Sequence, residues 1–98
     1  MFVIVLRYVQ PLSEVDRLAP AHFEHLDTYY EQGIILVSGR RVPRVGGVII
    51  AHGTTLAEVE SMMRADPFVS EGIATYEIIE FSPGKTDPRL ADVISAAR

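Results

Sequence analysis

Four short apolar segments of the chain are typical of β-strands. They cover residues 2–9, 34–38, 48–51 and 73–81 and are rich in Val, Ile and aromatic side chains. The first three carry apolar side chains at consecutive positions, so the pattern predicts that both faces of these strands are buried. The fourth shows a clear alternation between its two faces.

The first helix is predicted between the first two strands. Its apolar stripe consists of Phe23, Leu26 and Tyr30. His22 lies at the border of that face. Pro20 fits the first turn of a helix and interrupts one that starts earlier, so residues 12–18 are predicted to form a loop. Gly33 suits the left-handed position that ends a helix.

The second helix is predicted to begin at a capping box, in which Glu58 follows Thr55 by three residues. Its apolar stripe consists of Leu56, Val59, Met62 and Met63. Asp66 then precedes Pro67, a combination that starts a further helical turn because Asp caps free backbone N–H groups and Pro fits the first helical position. A second Asp-Pro pair at residues 87–88 predicts a short C-terminal helix.

The order of these elements is β-α-β-β-α-β, which predicts an α+β, ferredoxin-like fold with a four-stranded antiparallel sheet in one domain, residues 1–98. Two helices cover only one face of such a sheet, although three strands are apolar on both faces. Because exposed patches of that size are rare in monomers, we expect a homodimer that packs sheet against sheet about a two-fold axis. The 48% content of hydrophobic residues in 98 residues favours the same conclusion.

The composition excludes several classes of partner and chemistry. The formal net charge of −4 argues against a surface for nucleic acid or an anionic membrane. No apolar run approaches the roughly 20 residues that span a bilayer, and the first strand lacks the features of a signal peptide, so a cytoplasmic location is expected. The lack of cysteine excludes disulfides, thiolate metal sites and a cysteine nucleophile.

Four short motifs, in their order and spacing, resemble those of the YciI-like (YCII-related) proteins. They are His22 eleven residues before Gly33, Ser38-Gly39 after the second strand, Pro43-Arg44-Val45-Gly46-Gly47 before the third, and Asp66-Pro67-Phe68 followed by Gly72. The resemblance covers nearly the whole chain, as far as Phe81. Family members often have Pro after the Gly of the second motif, where this chain has Arg40.

The resemblance implies a dimeric α+β barrel, in which ferredoxin-like subunits pack through their sheets. It also implies a site in a cleft beside the sheet, formed by a His and an Asp that correspond to His22 and Asp66. The biological role of the family is mostly undefined. A few relatives are enzymes that act on small ring compounds by dehydrohalogenation or by chemistry like that of muconolactone isomerase.

A His and a carboxylate form a workable acid–base pair. An imidazole gains and loses a proton near neutral pH, and a carboxylate bound to its other nitrogen fixes the tautomer and stabilises the imidazolium. Such a pair suits proton abstraction next to a carbonyl or β-elimination from a ring. His22, in the first turn of the first helix, and Asp66, after the second, are predicted on the same side of the sheet. The alternatives are a surface or carbonyl-bonded His22 and an Asp66 that only caps a turn.

Arg40, Arg41 and Arg44 form the basic cluster of the chain. One interpretation is an anion-binding lip for a carboxylate or phenolate substrate, which we consider for Arg40 and Arg44. The other is a solvated hairpin end or ion pairs across the dimer, which is favoured for Arg41. Ser38 is a candidate hydrogen-bond donor in the same cleft, but it lacks the GxSxG context of a nucleophile.

No metal or cofactor is expected. His22 and His25 have an i, i+3 spacing that two metal ligands can share, but no third ligand follows from the spacing and no HExxH motif is present. The glycines at 46–47 enter a strand and match neither GxxxxGK[ST] nor GxGxxG, so they do not form a phosphate loop. His52 is expected in a loop after the third strand.

These observations favour a small, cofactor-independent dimeric enzyme. It would act as an acid–base lyase or isomerase, or as a dehydrohalogenase, on a small anionic ring compound, with His22 as the base and Asp66 as its orienting partner. The alternative is a non-catalytic dimer that binds a small molecule or serves as an accessory module. A monooxygenase, as among some relatives with this barrel, would need an aromatic or haem-accepting cavity, which nothing in the sequence demands.

Overall fold

The strands and helices follow the predicted order. The computed structural model describes residues 1–94, and within them the elements are β1 (Phe2–Tyr8), α1 (Leu12–Glu31), β2 (Ile35–Arg40), β3 (Gly46–Ala51), α2 (Leu56–Ala65), α3 (Pro67–Ser70), β4 (Ala74–Glu80), a 3₁₀ turn (Pro88–Leu90) and α4 (Ala91–Ile94). The strands form one antiparallel sheet in the order β2-β3-β1-β4. The chain therefore has the expected α+β, ferredoxin-like fold with a short C-terminal helix.

One face of the sheet packs against the helices and forms the core. Alternate residues of β1 supply it, since Phe2, Ile4 and Leu6 are at most 2% exposed. The intervening Val3 and Val5 point to the opposite side and stay partly exposed. We call that side the outer face, and its apolar residues include Val3, Val5, Val37, Val48, Ile50 and Ile79. The sequence predicts that both faces of the first three strands are buried. Within a single chain, only the face toward the helices is.

Helix α1 begins at Leu12, about two turns before Pro20, so the predicted loop over residues 12–18 is wrong. Pro20 lies inside the helix and is exposed. A proline at this position removes the N–H group that would bond to the carbonyl of Asp16. Because Asp16 is exposed, water can satisfy that carbonyl, and the helix continues without a buried unpaired group.

The buried stripe of α1 differs from the predicted one. Val15, His22 and Leu26 are buried, whereas Phe23 is 58% and Tyr30 is 37% exposed. Val15 lies seven residues before His22, an interval that places both side chains on one side of a helix. The predicted burial of Leu26 is confirmed. The predicted burial of Phe23 and Tyr30 is wrong, because the pattern was interpreted without the first two turns of the helix, where Val15 marks the buried side.

Three predicted helix boundaries are confirmed by local geometry. Gly33 follows α1 with a φ of 74°, a left-handed conformation that glycine adopts without strain. The hydroxyl of Thr55 accepts a hydrogen bond from the N–H of Glu58 at 3.2 Å. The carboxylate of Asp87 accepts one from the N–H of Arg89 at 2.8 Å, which starts the C-terminal helical segment.

The longest helix, α1, has 20 residues, but much of its surface is polar. Over residues 1–94, no helix combines the length and the apolar character that crossing a bilayer requires.

Candidate functional site

Asp66 lies at the junction of α2 and α3 and caps both helices. Its backbone N–H bonds to the carbonyl of Met63 at 3.2 Å, and its Oδ1 accepts from the N–H of Phe68 at 2.9 Å. Pro67 holds Asp66 in an extended conformation, with φ −63° and ψ 127°, so α2 stops there and α3 starts. The predicted cap is confirmed, and the carboxylate is fully buried.

His22 is buried in the middle of α1, not in its first turn, and its ring meets Asp66. Its Nδ1 lies 2.9 Å from each carboxylate oxygen. Because a carboxylate ion accepts hydrogen bonds and does not donate them, Nδ1 is the donor in this contact, and Nε2 is the ring nitrogen that is left for another partner. Among residues 1–94, Nε2 makes no hydrogen bond. The alternatives of a solvated or carbonyl-bonded His22 do not fit this geometry.

The surroundings of the pair are aromatic and almost dry. The His22 ring stacks on Phe68, with ring centroids 4.0 Å apart and planes inclined by 11°, and the ring of the adjacent Phe23 lies 5.3 Å from it between centroids. The His22 side chain is 10% exposed and that of Asp66 is 0% exposed. A carboxylate that is buried from water needs hydrogen-bond donors. The ring N–H of His22 and the backbone N–H of Phe68 supply them.

The other two histidines are held elsewhere. His25 donates from Nε2 to the carbonyl of Met62 at 2.8 Å, which ties α1 to α2. His52 follows β3 as predicted but is 93% buried by neighbouring residues, and its backbone N–H bonds to Ile34 at 2.9 Å. Across the described ranges, no three His, Asp or Glu side chains are grouped in a way that could hold a metal ion.

Ser38 lies away from the pair. Its hydroxyl pairs with the hydroxyl of Tyr30 at 2.6 Å. Tyr30 comes eight residues after His22, about 12 Å along the helix. The structure therefore does not bring Ser38 to the His22 ring.

An open cavity of about 630 Å³ lies where β1 ends, α1 begins and the β2–β3 turn passes. Its cationic lining comes from Arg7, Arg41 and Arg44, and Tyr8 adds an aromatic wall. Arg40, one residue before Arg41, is exposed at the end of β2 and does not line it. Of the two arginines considered for an anion-binding lip, only Arg44 is therefore at this cavity.

Arg44 is anchored by a carboxylate of α1. Its guanidinium donates to Oδ1 of Asp16, and this hydrogen bond raises the pKa of Arg44 above its usual value, with a smaller contribution from Tyr8. The anchor holds the β2–β3 turn against the first turns of α1, and the N–H of Tyr8 bonds to the carbonyl of Val45 at 2.8 Å. Contacts with α1 and with β1 therefore hold the β2–β3 turn in place at the mouth of the cavity.

Sequence reasoning missed Arg7 and Tyr8. They stand in an otherwise apolar strand, far from the arginines of the turn. The available signal was the antiparallel pairing of the first and third strands, which places Arg7 opposite Gly46 and so next to the arginine-rich turn.

The cavity and the pair are neighbours joined by aromatic rings. Tyr8 lines the cavity and meets Phe68 edge-on, with centroids 6.0 Å apart, while Phe68 stacks on His22. Neither His22 nor Asp66 lines the cavity itself. The arrangement therefore places a cavity that attracts anions near a histidine whose ring is oriented by Asp66. Two ring contacts, Tyr8 with Phe68 and Phe68 with His22, connect the cavity to that histidine.

The sequence that carries these motifs matches a protein-family model. The model of the YCII-related domain matches residues 1–82. The chain belongs to the YCII-related family. The resemblance noted in the sequence is thereby confirmed, and the match spans all four strands and helices α1 to α3 of this YCII-related protein.

Among solved structures, the YCII-related protein is similar to 5-chloro-2-hydroxyhydroquinone dehydrochlorinase from Burkholderia phenoliruptrix AC1100, determined in complex with 2,5-dihydroxybenzoquinone. The two share 20% sequence identity with a TM-score of 0.69, over 84% of this chain and 94% of the other. At this identity the similarity establishes a common fold. Comparison with curated protein sequences gives no match.

Proposed function

We propose that this YCII-related protein is a cofactor-independent acid–base enzyme, a lyase, isomerase or dehydrohalogenase, that acts on a small anionic ring compound. The observation that carries the proposal is the buried contact between His22 and Asp66, 2.9 Å from Nδ1 to both carboxylate oxygens. This is within the roughly 3.2 Å that a working pair requires.

In the proposed reaction, Nε2 of His22 takes a proton either from a C–H beside a carbonyl or, for a halogenated phenol, from a ring hydroxyl of the keto tautomer in which the halogenated carbon is sp³. The electron pair of the broken C–H or O–H bond becomes the new C=C or C=O bond. In the elimination, the conjugated double bond shifts toward the sp³ carbon and the halide departs with its own bonding pair. Asp66 keeps the proton of Nδ1 in place and balances the charge of the imidazolium, which then returns the extra proton to water. General-base catalysis of this kind contributes about 10²–10⁴-fold in rate.

The arginines of the cavity supply the second part of the proposal. A phenolate or carboxylate of the substrate would bind to a guanidinium, and Arg44 is held in place for this by Asp16. Arg40 remains a candidate contact at the rim. Ser38, bound to Tyr30, would contribute only if that hydrogen bond opened.

The similar dehydrochlorinase supports the choice of substrate class. Its name describes the loss of hydrogen chloride from a chlorinated hydroxyhydroquinone, a small ring compound with ionisable hydroxyls. Loss of hydrogen chloride needs a base for the proton and an anionic ring that expels chloride, and the His22–Asp66 pair supplies such a base.

A second candidate function is a non-catalytic binding module. One observation favours it: the large cavity is lined by arginines and excludes both members of the pair. Under this alternative, Asp66 caps α3, His22 donates a hydrogen bond to the buried carboxylate, and a metabolite binds to the arginines without reaction.

The test is turnover by a matched pair of variants. We expect 5-chloro-2-hydroxyhydroquinone, or another halogenated phenol of a small panel, to release chloride with the wild-type protein. His22→Asn keeps an N–H donor near the position of Nδ1, so the fold should persist, but it has no base and should lower kcat by at least about 100-fold. His25→Asn, whose ring bonds only to a backbone carbonyl, is the control.

Full activity of His22→Asn would refute the assignment of His22 as the base. Binding of the panel compounds without release of any product would favour the binding module instead.

A further inference from the structure

Two of the three arginines at the cavity lack a carboxylate partner. Arg44 is paired with Asp16, but Arg7 and Arg41 make no ion pair within residues 1–94. The whole chain has a net charge of −4, so this positive cluster does not reflect a generally basic surface. An excess of two positive charges at one cavity requires either a ligand or solvent ions to balance it.

The two unpaired arginines are fixed by the same residue of β3. Arg7 lies opposite Gly46 in the β1–β3 ladder, and the N–H of Arg41 donates to the carbonyl of Gly46 at 2.9 Å. A Cβ atom on Gly46 would lie 1.8 Å from the carbonyl oxygen of Leu6, so the close approach of the strands requires glycine. The backbone of Arg7 is therefore held by strand pairing, and that of Arg41, the first residue after β2, is held by a hydrogen bond to β3.

The rest of the lining is largely apolar. Tyr8, Pro11, Leu12 and Val45 form walls beside the guanidinium groups. A cavity that combines a cationic end with apolar walls suits a ligand that has an anionic end and a compact apolar body.

Glu77 is the carboxylate to consider against this interpretation. It lines a second cavity of about 330 Å³ on the outer face, which Arg7 and Arg41 also border. Glu77 makes no ion pair with either guanidinium, and it does not line the larger cavity. Within residues 1–94, no carboxylate lines the larger cavity, so an anion is expected on that side of the arginines.

We infer that Arg7 and Arg41 form a binding site for a small dianion with an apolar body, of which an aromatic dicarboxylate is the simplest example. Two guanidinium groups match two anionic groups, and Tyr8 provides a face for the ring. The inference rests on the proposed function in that it names the substrate class of that enzyme. Binding itself needs no reaction and is measured separately.

The experiment is calorimetric titration of the full chain with phthalate in a buffer of low ionic strength. We expect saturable binding that weakens as sodium chloride is added, and no binding of the neutral dimethyl ester. Arg7→Gln and Arg41→Gln should each weaken phthalate binding by about tenfold or more. Arg64→Gln, on the exposed end of α2, is the matched control and should leave the affinity unchanged.

A second measurement uses the unaltered protein and so does not depend on how the variants fold. The side-chain Nε–Hε signals of Arg7 and Arg41 should shift on titration with phthalate, while that of Arg64 should not. Absence of these shifts, or equal affinity in all three variants, would overturn the site. Loss of binding with Arg40→Gln but not with Arg41→Gln would also overturn it, because the anion would then lie at the rim.

The two proposals fail in different ways. Phthalate binding that depends on Arg7 and Arg41, together with full activity of His22→Asn, would uphold the site and refute the proposed mechanism. Turnover that depends on His22 but is unaffected by Arg7→Gln and Arg41→Gln would refute the site alone.

Discussion

At the scale of single residues, Asp66 serves two neighbours with one carboxylate. Oδ1 accepts from the N–H of Phe68, and both oxygens accept from Nδ1 of His22. Because the group is fully buried, these donors replace the water that the carboxylate loses on folding. A replacement that keeps the cap but changes the partner of His22 can therefore separate the two roles.

Asp66→Asn is that replacement. Its stability should stay close to that of the wild type, because Asn caps helices about as well as Asp. Its amide would donate to Nδ1, so the proton of the ring should move to Nε2 and the basic lone pair would turn away from a substrate. ¹⁵N NMR of the imidazole should show Nε2 as the protonated nitrogen, and turnover should fall by at least about 100-fold.

An Asp66 that acts only as a cap would behave differently. The tautomer of His22 and the turnover would both be unchanged in Asp66→Asn. Asp66→Ala provides the reference for the cap itself, since it leaves the N–H of Phe68 without its acceptor and should lower the free energy of unfolding by about 0.5–2 kcal/mol or more.

The resemblance to the YciI-like proteins identified His22 and Asp66 as a pair, but their separation could not be predicted from the sequence. His22 and Asp66 were placed on the same side of the sheet by helix order alone, while their 2.9 Å contact depends on how α1 packs against the α2–α3 junction. Arg7 could not be grouped with Arg41 by spacing, because their proximity comes from the register of β1 with β3.

At the scale of elements, Gly46 is a position in β3 where the backbone of β1 leaves no room for a side chain. Gly46→Ala should lower the free energy of unfolding by about 1–3 kcal/mol, because the new Cβ would lie 1.8 Å from the carbonyl oxygen of Leu6 and the strands must separate. Gly39→Ala, on the neighbouring β2, has nothing within 4 Å of the added carbon and should be close to neutral. Urea unfolding followed by circular dichroism measures both variants.

A near-neutral Gly46→Ala would show that the strands adjust without cost. The positions of Arg7 and Arg41 would then not depend on this glycine, and their fixed spacing would need another explanation.

Tyr76 of β4 and Glu60 of α2 link the sheet to the second helix. The hydroxyl of Tyr76 donates to Oε2 of Glu60 at 2.8 Å, and burial together with this hydrogen bond raises the pKa of Tyr76 above its ordinary value. A raised pKa means that the folded state favours the protonated phenol. The resulting stability is present below about pH 10, the pKa of an unfolded tyrosine, and is lost as the pH rises through the folded value.

Tyr76→Phe removes this titration. At neutral pH it should cost about 0.5–1.5 kcal/mol, the usual value of one hydrogen bond. Above about pH 10 the wild type should lose stability relative to the variant, so the difference should shrink, as measured by urea unfolding at a series of pH values. A difference that stays constant through that range would contradict the hydrogen bond as its source.

The start of α1 shows why an element boundary escaped prediction. Pro20 is a strong local signal against a helix, and it prevailed over the weaker periodic signal of Val15, His22 and Leu26. The helix persists because the carbonyl freed by Pro20 belongs to exposed Asp16 and can bond to water. Local signals predicted the capped ends correctly, whereas this boundary depended on exposure, which sequence does not give.

At the scale of the whole molecule, the outer face is the feature that a single chain leaves open. Its centre is apolar, with Val3 paired between Ile50 and Ile79, whereas Phe2, Ile4 and Leu6 on the helix side of β1 are buried. We propose that a second copy covers this face, sheet against sheet, to form a homodimer. The 3₁₀ turn and α4 already cover one edge of it, where Leu90 and Ile94 lie near Ile50.

Val3→Lys tests the homodimer. A charge at the centre of the outer face should prevent association, because it would be buried without a partner, while the folded chain could still expose it to water. Sedimentation at micromolar concentration should give a dimer for the wild type and a monomer for Val3→Lys. Val42→Lys, in the exposed β2–β3 turn, should remain dimeric. A monomeric wild type would end the proposal.

The stacking of His22 on Phe68 also gives the protein a built-in magnetic reporter. Hydrogens held above the face of an aromatic ring experience its ring current and resonate at lower frequency. The ring hydrogens of His22, 4.0 Å from Phe68 between centroids, should therefore separate from those of His25 and His52 in a proton spectrum. Since Tyr8 contacts the other edge of the stack, a molecule that enters the arginine cavity should perturb that single resolved resonance.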